Sequence, residues 1–269
     1  MASKYNSVQD QNLTTRIGGA PAAADDVYID KWALTYTAGT DLSAVSLASF
    51  TNQPESQCVF SGPGELTLKA TTGIVTNAGR GERFELRSNS PATVVQTVVL
   101  KPQSPACVHQ LKQVQVSTLV CVSGTTIVTD TVNMAAGLVF GGTVWVMPDA
   151  TATYPITGSL SVWGGSVRLG RDLPDLTVHG GSVEINDTAV SPANVTVNGG
   201  TLRLSACGNI GTLNGNAGTL DWTGLSRAVT IAVANWRPGL TILKSRQGVE
   251  PAVTTENAPY GRPRVVYVD

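Results

Sequence analysis

A pair of adjacent glycines, followed by Ser or Thr and a short alternating strand, returns four times in the second half of this chain. The copies are Gly141-Gly142-Thr143-Val144-Trp145-Val146, Gly164-Gly165-Ser166-Val167-Arg168-Leu169, Gly180-Gly181-Ser182-Val183-Glu184-Ile185 and Gly199-Gly200-Thr201-Leu202-Arg203-Leu204. A fifth, degraded copy reads Gly215-Asn216-Ala217-Gly218-Thr219-Leu220-Asp221-Trp222. From Gly142 to Gly165, Gly181, Gly200 and Gly218 the steps are 23, 16, 19 and 18 residues. A rung of a β-solenoid, two or three short strands joined by tight turns, needs a recurrence of this length. Alternating strands also precede the glycines, as in Leu160-Ser161-Val162-Trp163, Leu176-Thr177-Val178-His179 and Val195-Thr196-Val197-Asn198. Each unit could therefore be a β-hairpin with a two-residue turn, and a meander of hairpins is the competing fold. The same residue classes recur at the same offsets, which favours the solenoid, a right-handed parallel β-helix. There every offset stacks into a column at ~4.8 Å spacing.

The columns follow from the alternation. Val144, Val167, Val183, Leu202 and Leu220 form an inward apolar column. Beside it, Trp145, Arg168, Glu184, Arg203 and Asp221 point outward, and the charge sign alternates from Arg168 onward. Opposite charges on adjacent strands stabilise by a few tenths to about 1 kcal/mol per pair, and like charges there would repel. A second outward column precedes the glycines: Phe140, Trp163, His179 and Asn198. Phe140, Trp163 and Trp145 would set three large aromatics on the outside of neighbouring rungs. A contiguous patch of that kind marks an interface, a stacking surface for glycans, or a face covered by the chain's own loops.

Composition narrows the class. The chain carries 18 basic and 19 acidic side chains in 269 residues, a net charge of −1, with only 14% charged residues and 28 glycines. Coiled coils, long helical bundles and charged disordered tails need other compositions. Nucleic acid is not expected as a partner, because phosphate binding requires a basic surplus. The first 13 residues are polar, with no secretory signal pattern, and no run of 18 apolar residues exists, so no membrane span is expected.

Four segments emerge. Residues 1–24 lack periodicity and end in Gly-Gly-Ala-Pro-Ala-Ala-Ala, which predicts an extended arm. Residues 25–130 hold short strands bounded by Gly, Pro, Asn or Ser, either irregular rungs or a small β-sandwich. Residues 131–245 hold the regular rungs. Residues 246–269, with three prolines and the strand Arg264-Val265-Val266-Tyr267-Val268, form a cap or second arm over an open sheet edge.

Catalytic patterns are missing. No Gly-x-Ser-x-Gly elbow occurs, and the two histidines, His109 and His179, stand near no Ser or Cys motif of a triad. Gly79-Arg80-Gly81-Glu82-Arg83 is a tight charged turn in place of a phosphate loop. Glu184 and Asp221 lie two rungs apart, ~9.6 Å, at the edge of the range for an inverting carboxylate pair. The interposed Arg203 favours structural pairing, so no catalytic residue is expected. Cys58, Cys107, Cys121 and Cys207 are separated by 49, 14 and 86 residues, which fits no zinc or iron–sulfur pattern. They are expected as buried thiols, with a Cys107–Cys121 disulfide open if their strands adjoin. Cys107 and His109 share one side of a strand but make no metal site alone. Asp172 and Asp175, flanking Leu173-Pro174, are turn residues, and a calcium site would need further oxygen ligands. No cofactor is expected.

The opening Asp25-Asp26-Val27-Tyr28-Ile29, the stretch Thr37-Ala38-Gly39-Thr40-Asp41-Leu42-Ser43-Ala44-Val45 and the Gly-Gly rungs resemble β-solenoid virion proteins of tailed bacteriophages. The resemblance implies a non-enzymatic surface component, trimeric in many cases, attached to capsid or tail. On that basis the expected role is a capsid decoration (cement) protein. It would be a homo-oligomer made in the host cytoplasm and carried on the virion, burying Phe140, Trp145, Trp163 and His179 at subunit or partner contacts and clamping neighbouring capsid proteins, the major capsid protein or other virion proteins, by exchange of residues 1–24 and the C-terminal strand. The alternative is a tail fibre or spike module binding host glycans on a stacking surface of Trp163, Trp145 and His179, and a polysaccharide depolymerase ranks third.

Overall fold

The computed structural model describes residues 3–6, 26–29, 35–36, 41–46, 49–52, 59–60, 66–69, 74–78 and 83–87, then 94–148 and 156–268. Every regular element among them is a β-strand, so none contains a helix long and apolar enough to cross a membrane. The chain divides into two compact units, Met1–Ala136 and Gly137–Asp269, the division falling inside the strand Asn133–Val139.

The first unit is built of parallel ladders. One runs through Ser3–Asn6, Asp26–Ile29, Ser49–Asn52, Ile74–Asn77, Val94–Leu100 and Gln115–Cys121. Another runs through Val59–Phe60, Arg83–Arg87, Val108–Lys112 and Thr125–Val128. Strands of a β-sandwich pair antiparallel for the most part; these pair parallel across a full turn of chain, which makes them rungs. Of the expected arm, Ser3–Asn6 is a strand in this ladder, and the remainder of residues 1–24 lies outside the described residues. So do Cys58, Thr37–Thr40 and the charged turn at 79–82.

The second unit stacks in the same way. Ser159–Val162, Asp175–Val178 and Asn194–Val197 pair in register with the end of Asn133–Val139 on one side and the first part of Ile210–Asp221 on the other. Past each glycine corner, Thr143–Val146, Ser166–Leu169, Ser182–Asn186 and Thr201–Ala206 form a second ladder that continues through the latter part of Ile210–Asp221 into Thr230–Ser245. All pairs are parallel, which excludes the hairpin meander and gives the parallel β-solenoid. Within the expected cap, Ala252–Asn257 and Arg264–Val268 pair parallel with Thr230–Ser245 and add a further rung.

The glycine pairs are required at the corners for two separate reasons. The second glycine of each pair is left-handed, with φ of +76° at Gly142, +77° at Gly165, +71° at Gly181 and +65° at Gly200. Only glycine adopts that region without cost. Each corner also sits directly on the corner before it. A Cβ on Gly181 would lie 2.5 Å from the Gly165 carbonyl oxygen, and one on Gly180 would lie 2.5 Å from that of Trp163. The carbonyls of the left-handed glycines accept ladder hydrogen bonds, as in Ser182 N–H to Gly165 O at 2.9 Å and Thr201 N–H to Gly181 O at 2.9 Å. Inter-rung hydrogen bonds thus stand on both sides of the bend, at Val162 O and Gly165 O.

Alternation then fills the interior. Val144, Val167, Val183, Leu202, Leu220 and Ile242 are all buried in one column, and Leu160, Leu176, Val195 and Leu213 in another. Complete burial of such a side chain stabilises by about 1.5–3 kcal/mol. Where the interior takes the larger Trp236, the facing position is Gly215, whose absent Cβ leaves room for the indole at 3.0 Å.

Gly181→Ala should lower unfolding stability by at least ~2 kcal/mol, from left-handed backbone and close approach together. Ser182→Ala, on the exposed side of the adjacent strand, should stay within ~0.5 kcal/mol of the parent. Urea denaturation of both variants measures the difference. Equal midpoints would contradict the corner geometry.

Candidate functional site

The outer columns of the second unit carry the residues singled out above. Register places Phe140, Trp163, His179, Asn198 and Asn216 one position beyond the paired strands, in a single column along the stack. Phe140 is 50% and Trp163 53% exposed. The His179 ring lies flat on the Trp163 indole, with centroids 3.8 Å apart and planes 9° from parallel. One indole face is therefore covered by the imidazole of the next rung. Further along, Asn198 Nδ2 lies 3.4 Å from His179 Nδ1, and Asn216 Nδ2 donates to Asn198 Oδ1 at 2.8 Å. Trp145 is 44% exposed but belongs to the column past the glycine corner, where its ladder neighbour is Arg168. The three aromatics are divided between two columns on either side of the corner.

In that second column, Arg168, Glu184, Arg203 and Asp221 stand in consecutive register. Ion pairs join Arg168 Nε to Glu184 Oε2 at 3.4 Å and Arg203 Nε to Asp221 Oδ2 at 3.8 Å. Each carboxylate has further partners: Ser205 Oγ donates to Glu184 Oε1 at 2.7 Å, and Thr223 donates to Asp221 Oδ1 from its backbone N–H at 2.9 Å and its hydroxyl at 2.6 Å. Both acids are thus engaged by an arginine of the neighbouring strand and by hydroxyl or backbone donors, as a ladder requires. Asp172 and Asp175 also bond between rungs, Asp172 Oδ1 accepting from Ser191 N–H at 2.8 Å and Asp175 Oδ1 from Asn194 Nδ2 at 2.8 Å.

The sequence reading missed an amide ladder. Thr196, Asn214, Asn235 and Asn257 occupy one outward register position. Asn257 Nδ2 donates to Asn235 Oδ1 at 2.9 Å, Asn235 Nδ2 to Asn214 Oδ1 at 2.7 Å, and Asn214 Nδ2 to Thr196 Oγ1 at 3.4 Å. These amides pave a groove of about 890 Å³ bordered by Arg237, Glu256 and Tyr260. The signal was an Asn at each strand's outward position, hidden because these rungs lack an intact Gly-Gly marker.

In the first unit, Cys107 and His109 do share a side, and it is the inside: both are 0% exposed, with His109 set edge-on to Phe84. His109 Nε2 lies 2.9 Å from Asn77 Nδ2 and 3.6 Å from Cys107 Sγ. The Asn77 donor makes Nε2 the acceptor of a neutral ring, and burial pushes the His109 pKa down to about 4. Burial pushes the Cys107 thiol up to about 11 and those of Cys121 and Cys207 to about 12. All three are free thiols, so Cys107 and Cys121 are not bridged. A thiol held protonated and away from solvent is a poor nucleophile. Among the described residues no three His, Cys, Asp or Glu side chains gather into a metal site.

Comparison of the chain with protein-family models, with curated proteins and with solved structures finds no match.

Two outcomes follow from this geometry. A double-mutant cycle on Arg168→Ala and Glu184→Ala should show coupling of ~0.2–1 kcal/mol that shrinks in high salt. Coupling of zero at low salt would remove the ladder's role. His109 has a lower pKa folded than unfolded, so the unfolded chain binds the proton first as pH falls. Stability is then complete above the ordinary value of 6.5 and declines as pH drops toward about 4, by up to ~3 kcal/mol. Urea midpoints across that window should fall less steeply in His109→Gln; an unchanged slope would show that another group sets the decline.

Proposed function

We propose that this chain is a non-enzymatic structural protein of a tailed-bacteriophage virion, acting as a capsid decoration protein. The observation that carries the reading is the half-exposed aromatic surface of Phe140, Trp145 and Trp163 on consecutive rungs of a rigid stack. Burying large aromatics is where protein interfaces concentrate their energy. A protein that binds only the assembled shell stabilises it by mass action, with no chemical step. Two features support a binding role over a catalytic one. The outward acids are engaged by Arg168, Arg203, Ser205 and Thr223. The described thiols are buried. The virion, the contact with the major capsid protein and the trimeric state come from the resemblance to phage β-solenoid proteins and belong to the proposal. So does exchange of the terminal segments between neighbouring subunits.

The chain carrying Trp145→Ser and Trp163→Ser together should bind particles of the parent virus more than ~10-fold more weakly than the unsubstituted chain in direct competition. The isolated protein's thermal midpoint should move by only a few degrees, since both side chains project outward. Undiminished occupancy on the shell would sink the aromatic-interface reading. Locating the chain in the tail by electron cryo-microscopy would replace decoration with a tail role.

A further inference from the structure

We propose that the amide-paved groove at the far end of the second unit binds an uncharged, hydroxyl-rich glycan chain. The reasoning starts from hydrogen-bond valence. A primary amide has two N–H donors and an oxygen with two lone pairs. Asn235 spends one donor on Asn214 and one lone pair on Asn257. One donor and one acceptor per amide stay available, and the stack repeats them at ~4.8 Å intervals along the groove floor. A sugar hydroxyl both donates and accepts, so a row of hydroxyls along a glycan complements this floor.

The wall supplies the second element of sugar recognition. Gly261 N–H closes a turn on Ala258 O at 3.1 Å, and Gly261 is left-handed at φ +114°. That turn lifts Tyr260, which is 68% exposed. The Arg237 guanidinium sits over its ring at 4.8 Å from the centroid, fixing an aromatic face beside the amide row. Aromatic faces pack against the apolar faces of sugar rings while the edge hydroxyls reach polar partners. A volume of about 890 Å³ lies at the upper end for small-ligand sites and admits a short oligosaccharide. Arg237 and Glu256 contribute opposite charges to the rim, so the groove has no surplus for a polyanion. Recognition by amides and one aromatic is therefore insensitive to salt.

This site is distinct from the Trp145 and Trp163 surface, and its occupancy is independent of shell binding. The test applies the full chain to a printed array of bacterial surface oligosaccharides supplemented with maltohexaose, cellohexaose and chitohexaose, at low and high salt. Expected is binding to at least one neutral glycan that survives high salt. Tyr260→Ala and Asn235→Ala should each weaken it at least 10-fold, with Trp163→Ala unaffected. Tyr260→Ala should leave shell occupancy unchanged, which separates this proposal from the assembly reading. Because Asn235→Ala breaks the ladder, the exposed Tyr260→Ala decides if Asn235→Ala unfolds. No glycan bound, binding lost in salt, or binding indifferent to Tyr260→Ala overturns the proposal.

Discussion

Everything in the second unit depends on one contact, the passage of the hydrogen-bond ladder through the glycine corner. In an ordinary bend the backbone groups would turn to solvent and successive rungs could drift. Here the carbonyl of one left-handed glycine accepts from the strand of the next rung, with no space for a Cβ between them. Rung-to-rung register is thereby pinned at a point fixed in the sequence. Columns on either side inherit that register.

Pinned register makes like stack on like, which has opposite consequences inside and outside. Inside, repetition of Val, Leu and Ile is favourable and needs no further arrangement. Outside, repetition of one charge would be repulsive, and repetition of unpaired polar groups would gain little. The stack handles these cases by chemistry. Charged positions alternate in sign, giving Arg168–Glu184 and Arg203–Asp221. Amides can repeat without alternating, because each is donor and acceptor at once, and Asn214, Asn235 and Asn257 do so. Aromatic rings repeat by lying flat, as His179 does on Trp163.

What was legible in the sequence is what could be counted from an intact glycine pair. The inward Val and Leu column and the charge alternation both lie a fixed number of residues after Gly165, Gly181 and Gly200. The amide ladder was not legible for a specific reason. In the fifth copy Ala217 replaces the first glycine, and the register shifts between Gly215 and Ala217. The corresponding stretch of Thr230–Ser245 has Arg237-Pro238-Gly239, with no glycine pair at all. Counting fails there, although the backbone ladder continues. The meeting of Asn77 with His109, 32 residues later, was invisible for a related reason. The early rungs carry no repeated marker, and only their parallel pairing reveals which positions face each other.

The division of labour between inside and outside explains how such a stack can bear function. The interior groups with chemical potential are silenced by burial: His109 is held neutral and the thiols protonated. Stability is therefore local, set by apolar columns and corner glycines, and each rung answers mainly to its neighbours. An outward side chain can then change with little cost to folding. The column that begins with Phe140 and Trp163 shows the result, turning from aromatic to amide by Asn198 and Asn216 while the Val162, Val178 and Val197 column beside it stays apolar. Outward chemistry therefore varies along the stack without disturbing the inward packing or the corners that set its register.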